Sequence, residues 1–215
     1  MSQRRVALIT GASGGIGRAI ALKLATENHD IAVNDLPDVG DIEKLTSDIE
    51  LLGSRMSFFP ADVSRKQEVQ EMVGKVKNFF GRIDILVNNA GISPKHNGRK
   101  KSVSDMDPEE WEHVVAVNLN GAFYCTRYVT PLMIDQKWGR IVNISSMAGR
   151  VYSPVPGAHY CATKAGLIGL TKVCAGELAP YGILVNSVAP GRIESAMMQE
   201  AGDERFILGT DDQGR

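Results

Sequence analysis

The chain has 215 residues and a formal net charge of −1, with the charged and apolar fractions of an ordinary globular protein. That balance gives no electrostatic attraction to nucleic acid or to a membrane surface, and no stretch approaches the roughly 20 apolar residues of a membrane span. Cys125, Cys161 and Cys174 match neither a disulfide framework nor a metal-ligand spacing, so the expectation is a cytoplasmic chain with reduced thiols and no metal.

Short β-branched runs alternate with longer segments of helical period, which predicts an α/β fold on a parallel sheet. The strands are expected at Val6–Thr10, Ile31–Asp35, Met56–Ala61, Ile83–Asn88, Arg140–Ser145 and Leu184–Ala189, each nearly continuous in apolar residues, as strands covered on both faces require. Thr10-Gly11-Ala12-Ser13-Gly14-Gly15-Ile16-Gly17 follows the first strand and opens a helix bearing Ile16, Ala19, Ile20 and Leu24. Glycines there let the backbone turn tightly and approach a pyrophosphate, and a helix N-terminus favours the anion. The spacing is G-x-x-x-G-x-G, not the commoner G-x-G-x-x-G.

Asp35 ends the second strand of the same βαβ unit, where a carboxylate can accept from ribose hydroxyls and repel a 2′-phosphate; NAD is therefore favoured over NADP. Read as local structure alone, Asp35-Leu36-Pro37-Asp38 is turn chemistry. Asp62 and Asn89-Ala90-Gly91 also fall at carboxyl ends of strands, the ligand side of an open α/β sheet. Asp107-Pro108-Glu109-Glu110 reads as an N-cap, a first-turn proline and two dipole-compatible carboxylates opening a long helix. Tyr160 and Lys164 are one helical turn apart and share a face, and their helix is expected to stop near Ala179-Pro180-Tyr181-Gly182. A free tyrosine, with a pKa of about 10, carries protons poorly at neutral pH; a fixed cation close by favours the phenolate. A lone Y-x-x-x-K is usually an ordinary helix surface, and a lone Asn118 an ordinary helix asparagine.

Together, Thr10–Gly17, Asn88-Asn89-Ala90-Gly91, Asn118, Ser145-Ser146, Tyr160-Cys161-Ala162-Thr163-Lys164 and Pro190-Gly191 resemble the short-chain dehydrogenase/reductase family, over about Val6 to Ser195. Val6–Gly11 and Gly139–Ser145 resemble its 3-oxoacyl-acyl-carrier-protein reductase-like group. The resemblance implies a Rossmann-type doubly wound parallel sheet of six strands in the order 3-2-1-4-5-6, helices on both faces, without the usual seventh strand. It implies an oxidoreductase interconverting a secondary alcohol and a ketone with NAD. Tyr160 would be the general acid/base and Lys164 would lower its pKa and bind the nicotinamide ribose. Ser146, rather than Ser145, would hold the substrate oxygen, and Asn118 would anchor a water beside Lys164. Gly11, Ser13, Gly15, Ile16, Gly17, Asp35, Asp62, Val63, Asn89, Ala90, Gly91, Pro190, Gly191 and Ile193 would line the cofactor, with Tyr160 and Lys164.

Three departures qualify these expectations. Tyr124 and Gly176 stand where the carrier-protein reductases present docking arginines, which makes an acyl-carrier partner doubtful; Arg127 is one turn from Tyr124. The segment Pro94–Lys101 is long and basic; it reads as a solvated lysine-rich loop, with attraction of an anionic substrate as the alternative. Residues 1–195 are expected to form the catalytic domain and residues 196–215 a poorly ordered polar tail, in place of the family's substrate-covering elements. A non-catalytic cofactor-binding or partner-binding protein is the competing expectation. A homodimer or homotetramer is expected through the helices around Trp111–Asp135 and Ala158–Ala179. Met147, Val151, Tyr152, Pro154 and His159 are the expected pocket-lining residues.

Overall fold

The computed structural model describes residues 4–193. Six strands, β1 (Val6–Thr10), β2 (Asp30–Asn34), β3 (Met56–Phe58), β4 (Ile85–Asn88), β5 (Gly139–Ile144) and β6 (Ile183–Val188), form one sheet in the order β3-β2-β1-β4-β5-β6. Every neighbouring pair is parallel, as helical crossovers dictate. All residues of β1, β2 and β4 are buried, and alternate side chains of β1 enter opposite cores. Val6 and Leu8 join Met72, Val76, Val129 and Ile141 beneath α3 (Lys66–Phe80) and α5 (Gly121–Gln136). Ala7 and Ile9 join Ala21, Ile31, Leu45 and Ile49 beneath α1 (Gly15–Thr26) and α2 (Ile42–Leu51). The expected architecture and strand order are therefore observed, and the expectation for residues 196–215 lies outside the described residues.

Two strands are shorter than periodicity predicts. β3 stops at Phe58 because Pro60 has no N–H to offer the ladder, although Phe59 and Ala61 still donate to Val33 and Asp35 at 2.8 and 3.0 Å. β4 starts at Ile85 because the Asp84 side chain takes over, accepting from the Val6 N–H at 2.9 Å and pairing with Arg82. The long helix expected from Asp107 is divided into α4 (Pro108–Val115), a π-helical turn (Ala116–Asn120) and α5. Asp107 occupies the N-cap position but makes no capping bond, since its carboxylate pairs with Lys101. The helix of Tyr160 and Lys164, α6 (Ala158–Leu178), closes with a 3₁₀ turn at Ala179–Tyr181 and Gly182 at φ 74°, where the sequence places its stop. Among the described residues no helix is long and apolar enough to cross a membrane, and no three acidic, His or Cys side chains cluster as a metal site.

Candidate active site

At the carboxyl ends of β1, β4 and β5 lies a cleft of about 460 Å³. One end is the glycine turn. Gly11 has φ 62°, and a Cβ there would lie 2.8 Å from the Ala90 Cα, so the turn is pressed against the chain leaving β4. The Asn89 side chain locks that contact, donating to the Thr10 and Gly11 carbonyls at 2.9 and 2.8 Å, while Thr10 Oγ1 accepts from the Asn89 and Ala90 amides. Gly14, the N-cap of α1, is extended, no side chain caps the first turn, and no acid stands in it. Open space surrounds the position of its absent Cβ. Uncapped N–H groups at a concave, acid-free helix start suit a pyrophosphate.

Asp35, one residue beyond β2, borders the same cleft. Its Oδ2 accepts from the Ser13 hydroxyl at 2.6 Å and the Ser13 amide at 3.1 Å, and Oδ1 accepts from the Leu36 amide at 2.9 Å. The carboxylate is thus held rigidly beside the glycine turn. Oδ2 already accepts twice, so the acceptor site left for a ribose hydroxyl is on Oδ1.

The opposite end carries the titratable groups. Tyr160 is the third residue of α6, and Lys164 lies one turn on with only 3% exposure. The lysine Nζ donates to the Ile144 carbonyl at 2.7 Å and sits 5.5 Å from the centroid of the Tyr160 ring. Burial pushes the Lys164 ammonium down to about 8. Burial also holds the Tyr160 phenol above its ordinary value, opposed by a hydrogen bond with Ser146. The expected fall in the tyrosine pKa is therefore corrected: in this geometry desolvation outweighs any help from the cation. The two serines separate cleanly. Ser145 is buried and its hydroxyl donates to the Lys164 carbonyl at 2.6 Å, a packing role, while Ser146 sits at the start of a 3₁₀ turn, accepts from the Ala148 amide at 3.1 Å and reaches the phenol.

Asn118 lies in the π-helical turn, 1% exposed, and both ends of its amide grip Ile92: Oδ1 accepts from the Ile92 N–H at 2.8 Å and Nδ2 donates to the Ile92 carbonyl at 2.9 Å. Nδ2 also lies 3.3 Å from Thr163 Oγ1. The wide turn therefore ties α4–α5, the loop after β4 and α6 together beside Lys164. Gly91 completes the arrangement, because any side chain there would come within 3.3 Å of both the Lys164 Nζ and the Asn118 Oδ1.

Of the expected cofactor-lining residues all but Gly17 border the cleft. Gly17 is buried in α1, where a Cβ would meet the Gly11 carbonyl at 2.3 Å; it is a close-packing glycine, not a wall of the cleft. Asn118 is likewise behind the wall. The expected pocket residues Met147, Val151, Tyr152, Pro154 and His159 do not border it: the first four are exposed, and His159 is 1% exposed against Glu110. Leu36, Ile92, His113 and Val117 border the cleft without having been singled out. Leu36 and Ile92 each follow a strand end already recognised, but the inward turn of His113 depends on how α4 packs. The basic segment Pro94–Lys101 is not a loosely solvated loop. Lys95 donates to the Val155 carbonyl at 2.5 Å, Lys100 lies 5.8 Å from the Tyr152 ring centroid, and Lys101 pairs with Asp107 and Glu110.

An open parallel sheet, a glycine turn at the first βα junction and a buried Tyr–Lys pair at the carboxyl ends of the strands define a Rossmann-type α/β protein with a site for acid–base chemistry. Residues 5–205 match the family model of the short chain dehydrogenases, and the chain belongs to that family. It is 44% identical over 198 residues to the 3-oxoacyl-[acyl-carrier-protein] reductase of Staphylococcus epidermidis, covering 92% of this chain and 79% of that one. The corresponding reductase of Synechocystis is 42% identical over 203 residues, covering 94% and 80%. Among solved structures, a 3-oxoacyl-[acyl-carrier protein] reductase with bound NAD from Brucella melitensis superposes with a TM-score of 0.84 at 42% identity, covering 94% of this chain and 76% of the other. An NAD⁺-bound xylitol dehydrogenase gives 0.81 at 36% identity, covering 92% and 74%.

Proposed function

We propose that this short-chain dehydrogenase uses NAD(H) to interconvert a secondary alcohol and a ketone, with a 3-oxoacyl thioester as the substrate class. One observation carries the reading: Ser146, Tyr160 and Lys164 converge at one end of a cleft whose other end is an uncapped, acid-free helix start beside Asp35. The donor set suits a dinucleotide, with the pyrophosphate at Gly14–Ile16, the adenosine ribose at Asp35 and the nicotinamide ribose at Tyr160 and Lys164. When bound, the nicotinamide supplies or accepts the hydride. Ser146 holds the substrate oxygen, and Tyr160 gives that oxygen a proton in reduction and removes it in oxidation. Lys164 supplies positive charge beside the phenol, and Asn118 keeps the surrounding segments in register. Asp62, Val63, Asn89, Ala90, Gly91, Pro190, Gly191 and Ile193 form the walls.

The 3-oxoacyl class is supported by the carrier-protein reductases among the relatives at 42–44% identity. An acyl carrier would have to dock without arginines at Tyr124 and Gly176, so a thioester on a smaller carrier is the better first probe. Phe123 on α5 and Val173 on α6 are 47% and 58% exposed, which suits these helices to pairing with a second copy. The test is NADH oxidation, followed by absorbance, with a 3-oxobutanoyl thioester. Turnover that disappears in Tyr160→Phe upholds the proposal. Tight NADH binding with no turnover on any ketone would instead favour a non-catalytic binding protein.

A further inference from the structure

His159 precedes the proposed general acid yet does not border the cleft, and its side chain is only 1% exposed. Its Nδ1 lies 2.6 Å from the Tyr160 amide nitrogen. A backbone N–H can only donate, so Nδ1 must accept and the ring proton must sit on Nε2. Nε2 in turn faces Glu110 Oε1 of α4 at 3.1 Å. The start of α6 has no other such support, because its N-cap is Gly157 and its first turn contains no acid. Gly157 is also what admits the ring, since a Cβ there would come within 2.7 Å of the His159 Cε1.

Glu110 faces three basic side chains, His96, Lys101 and His159. Its Oε2 lies 2.6 Å from His96 Nε2 and 3.7 Å from Lys101 Nζ, Lys101 is shared with Asp107, and His159 occupies the other oxygen. Burial, the largest single influence, pushes the carboxyl up, but hydrogen bonds from His96 and His159 together with the charges of His96 and Lys101 keep it below its ordinary range. A fixed acceptor thus stands opposite the His159 Nε2.

We infer that Glu110 and His159 are positioning residues for Tyr160: the α4 carboxylate fixes the Nε2–H tautomer of His159, and the resulting Nδ1 lone pair holds the tyrosine amide and with it the first turn of α6. Tyr160 is the third residue of that helix, so fraying of the turn swings the phenol away from Ser146. The catalytic part of the inference rests on the oxidoreductase reading above; the structural part does not.

Two measurements without substrate read the device directly. Nitrogen-15 histidine spectra of the whole chain give an Nε2–H tautomer for His159 that becomes mixed in Glu110→Ala. Titration of a carbon-13-labelled Tyr160 phenol gives a midpoint that moves in His159→Ala and returns in His159→Asn, whose side-chain oxygen can replace Nδ1. With the 3-oxobutanoyl thioester, His159→Ala lowers kcat about tenfold while NADH affinity changes by less than about twofold, and His159→Asn recovers most of the loss. A purely structural role would lower the melting temperature and NADH affinity together, with no shift of the phenol midpoint. An Nδ1–H tautomer, or an unmoved phenol midpoint in a folded His159→Ala protein, overturns the inference. Absence of turnover in the unmodified protein overturns the oxidoreductase reading instead, leaving the tautomer and phenol measurements to decide this one.

Discussion

The ammonium of Lys164 stands 5.5 Å from the ring centroid of Tyr160 and is tethered to the Ile144 carbonyl at 2.7 Å. Both groups are desolvated, and desolvation moves them in opposite directions: the phenol up, the ammonium down to about 8. The two ordinary values, 10.0 and 10.5, are therefore driven apart, and the ammonium becomes the more acidic group of the pair.

The first expectation is kinetic. Oxidation of an alcohol needs the phenolate and so accelerates as pH rises, whereas reduction needs the phenol and slows. Tyr160→Phe is expected to cost ~10²–10⁴-fold in kcat. Profiles of kcat/KM against pH, measured in both directions, check the sign; a profile unchanged in Lys164→Ala would remove the lysine from the mechanism.

Lys164 also has a stability signature. Its folded-state pKa of about 8 lies below the ordinary 10.5, so between those values the unfolded chain binds more protons. The contribution of Lys164 to folding stability is accordingly least favourable below about pH 8 and rises from there toward pH 10.5, by about 3 kcal/mol. Urea unfolding across this window is expected to show the rise in the unmodified chain and lose it in Lys164→Met.

Asp35→Ala removes the carboxylate that is held by Ser13 and Leu36 beside the glycine turn. The ratio of kcat/KM for NADH over NADPH is expected to fall about tenfold, equivalent to ~1.4 kcal/mol. An unchanged ratio would mean that this carboxylate serves only the turn.

Two glycines three residues apart in the turn, Gly11 and Gly14, separate folding from binding. Gly11→Ala places a Cβ 2.8 Å from the Ala90 backbone at φ 62° and is expected to destabilise the fold by more than about 1 kcal/mol. Gly14→Ala meets open space, so thermal stability is expected to change little while NADH affinity falls. Melting curves paired with fluorescence titrations distinguish the two.

Asn118→Ala leaves the N–H and C=O of Ile92 without their amide partner. A loss of about 1–3 kcal/mol is expected for each group stranded away from water, read as a lower urea midpoint. Asn118→Asp can still accept from the Ile92 N–H but cannot donate to its carbonyl, so it is expected to fall between the two.

Much of this molecule was legible from spacing alone. Six apolar runs of strand length separated by helical periods implied the sheet; β1 was placed to the residue, and α6 ends at Leu178, just before the expected stop near Ala179-Pro180-Tyr181-Gly182. Strand ends that depended on another element were missed: β4 begins late because Asp84 reaches across to Val6, and β3 ends early at Phe58 before Pro60. The choice of Ser146 over Ser145 followed from the motif; in the fold the Ser145 hydroxyl donates to the Lys164 carbonyl, whereas the Ser146 hydroxyl accepts from the Ala148 amide.

Local sequence determined which residues could do the chemistry: a glycine turn after a strand, a carboxylate at the next strand end, a phenol and an amine one turn apart. Tertiary packing decided how they behave. Burial reversed the expected direction of the Tyr160 shift, and Gly17 became a packing contact with Gly11. Asn118 was clamped to Ile92, 26 residues away, and His159 was joined to Glu110 across 49 residues. Helical and strand periods arise from interactions a few residues long and are written in the chain; desolvation and the pairing of distant polar atoms exist only once the sheet and helices have closed around them.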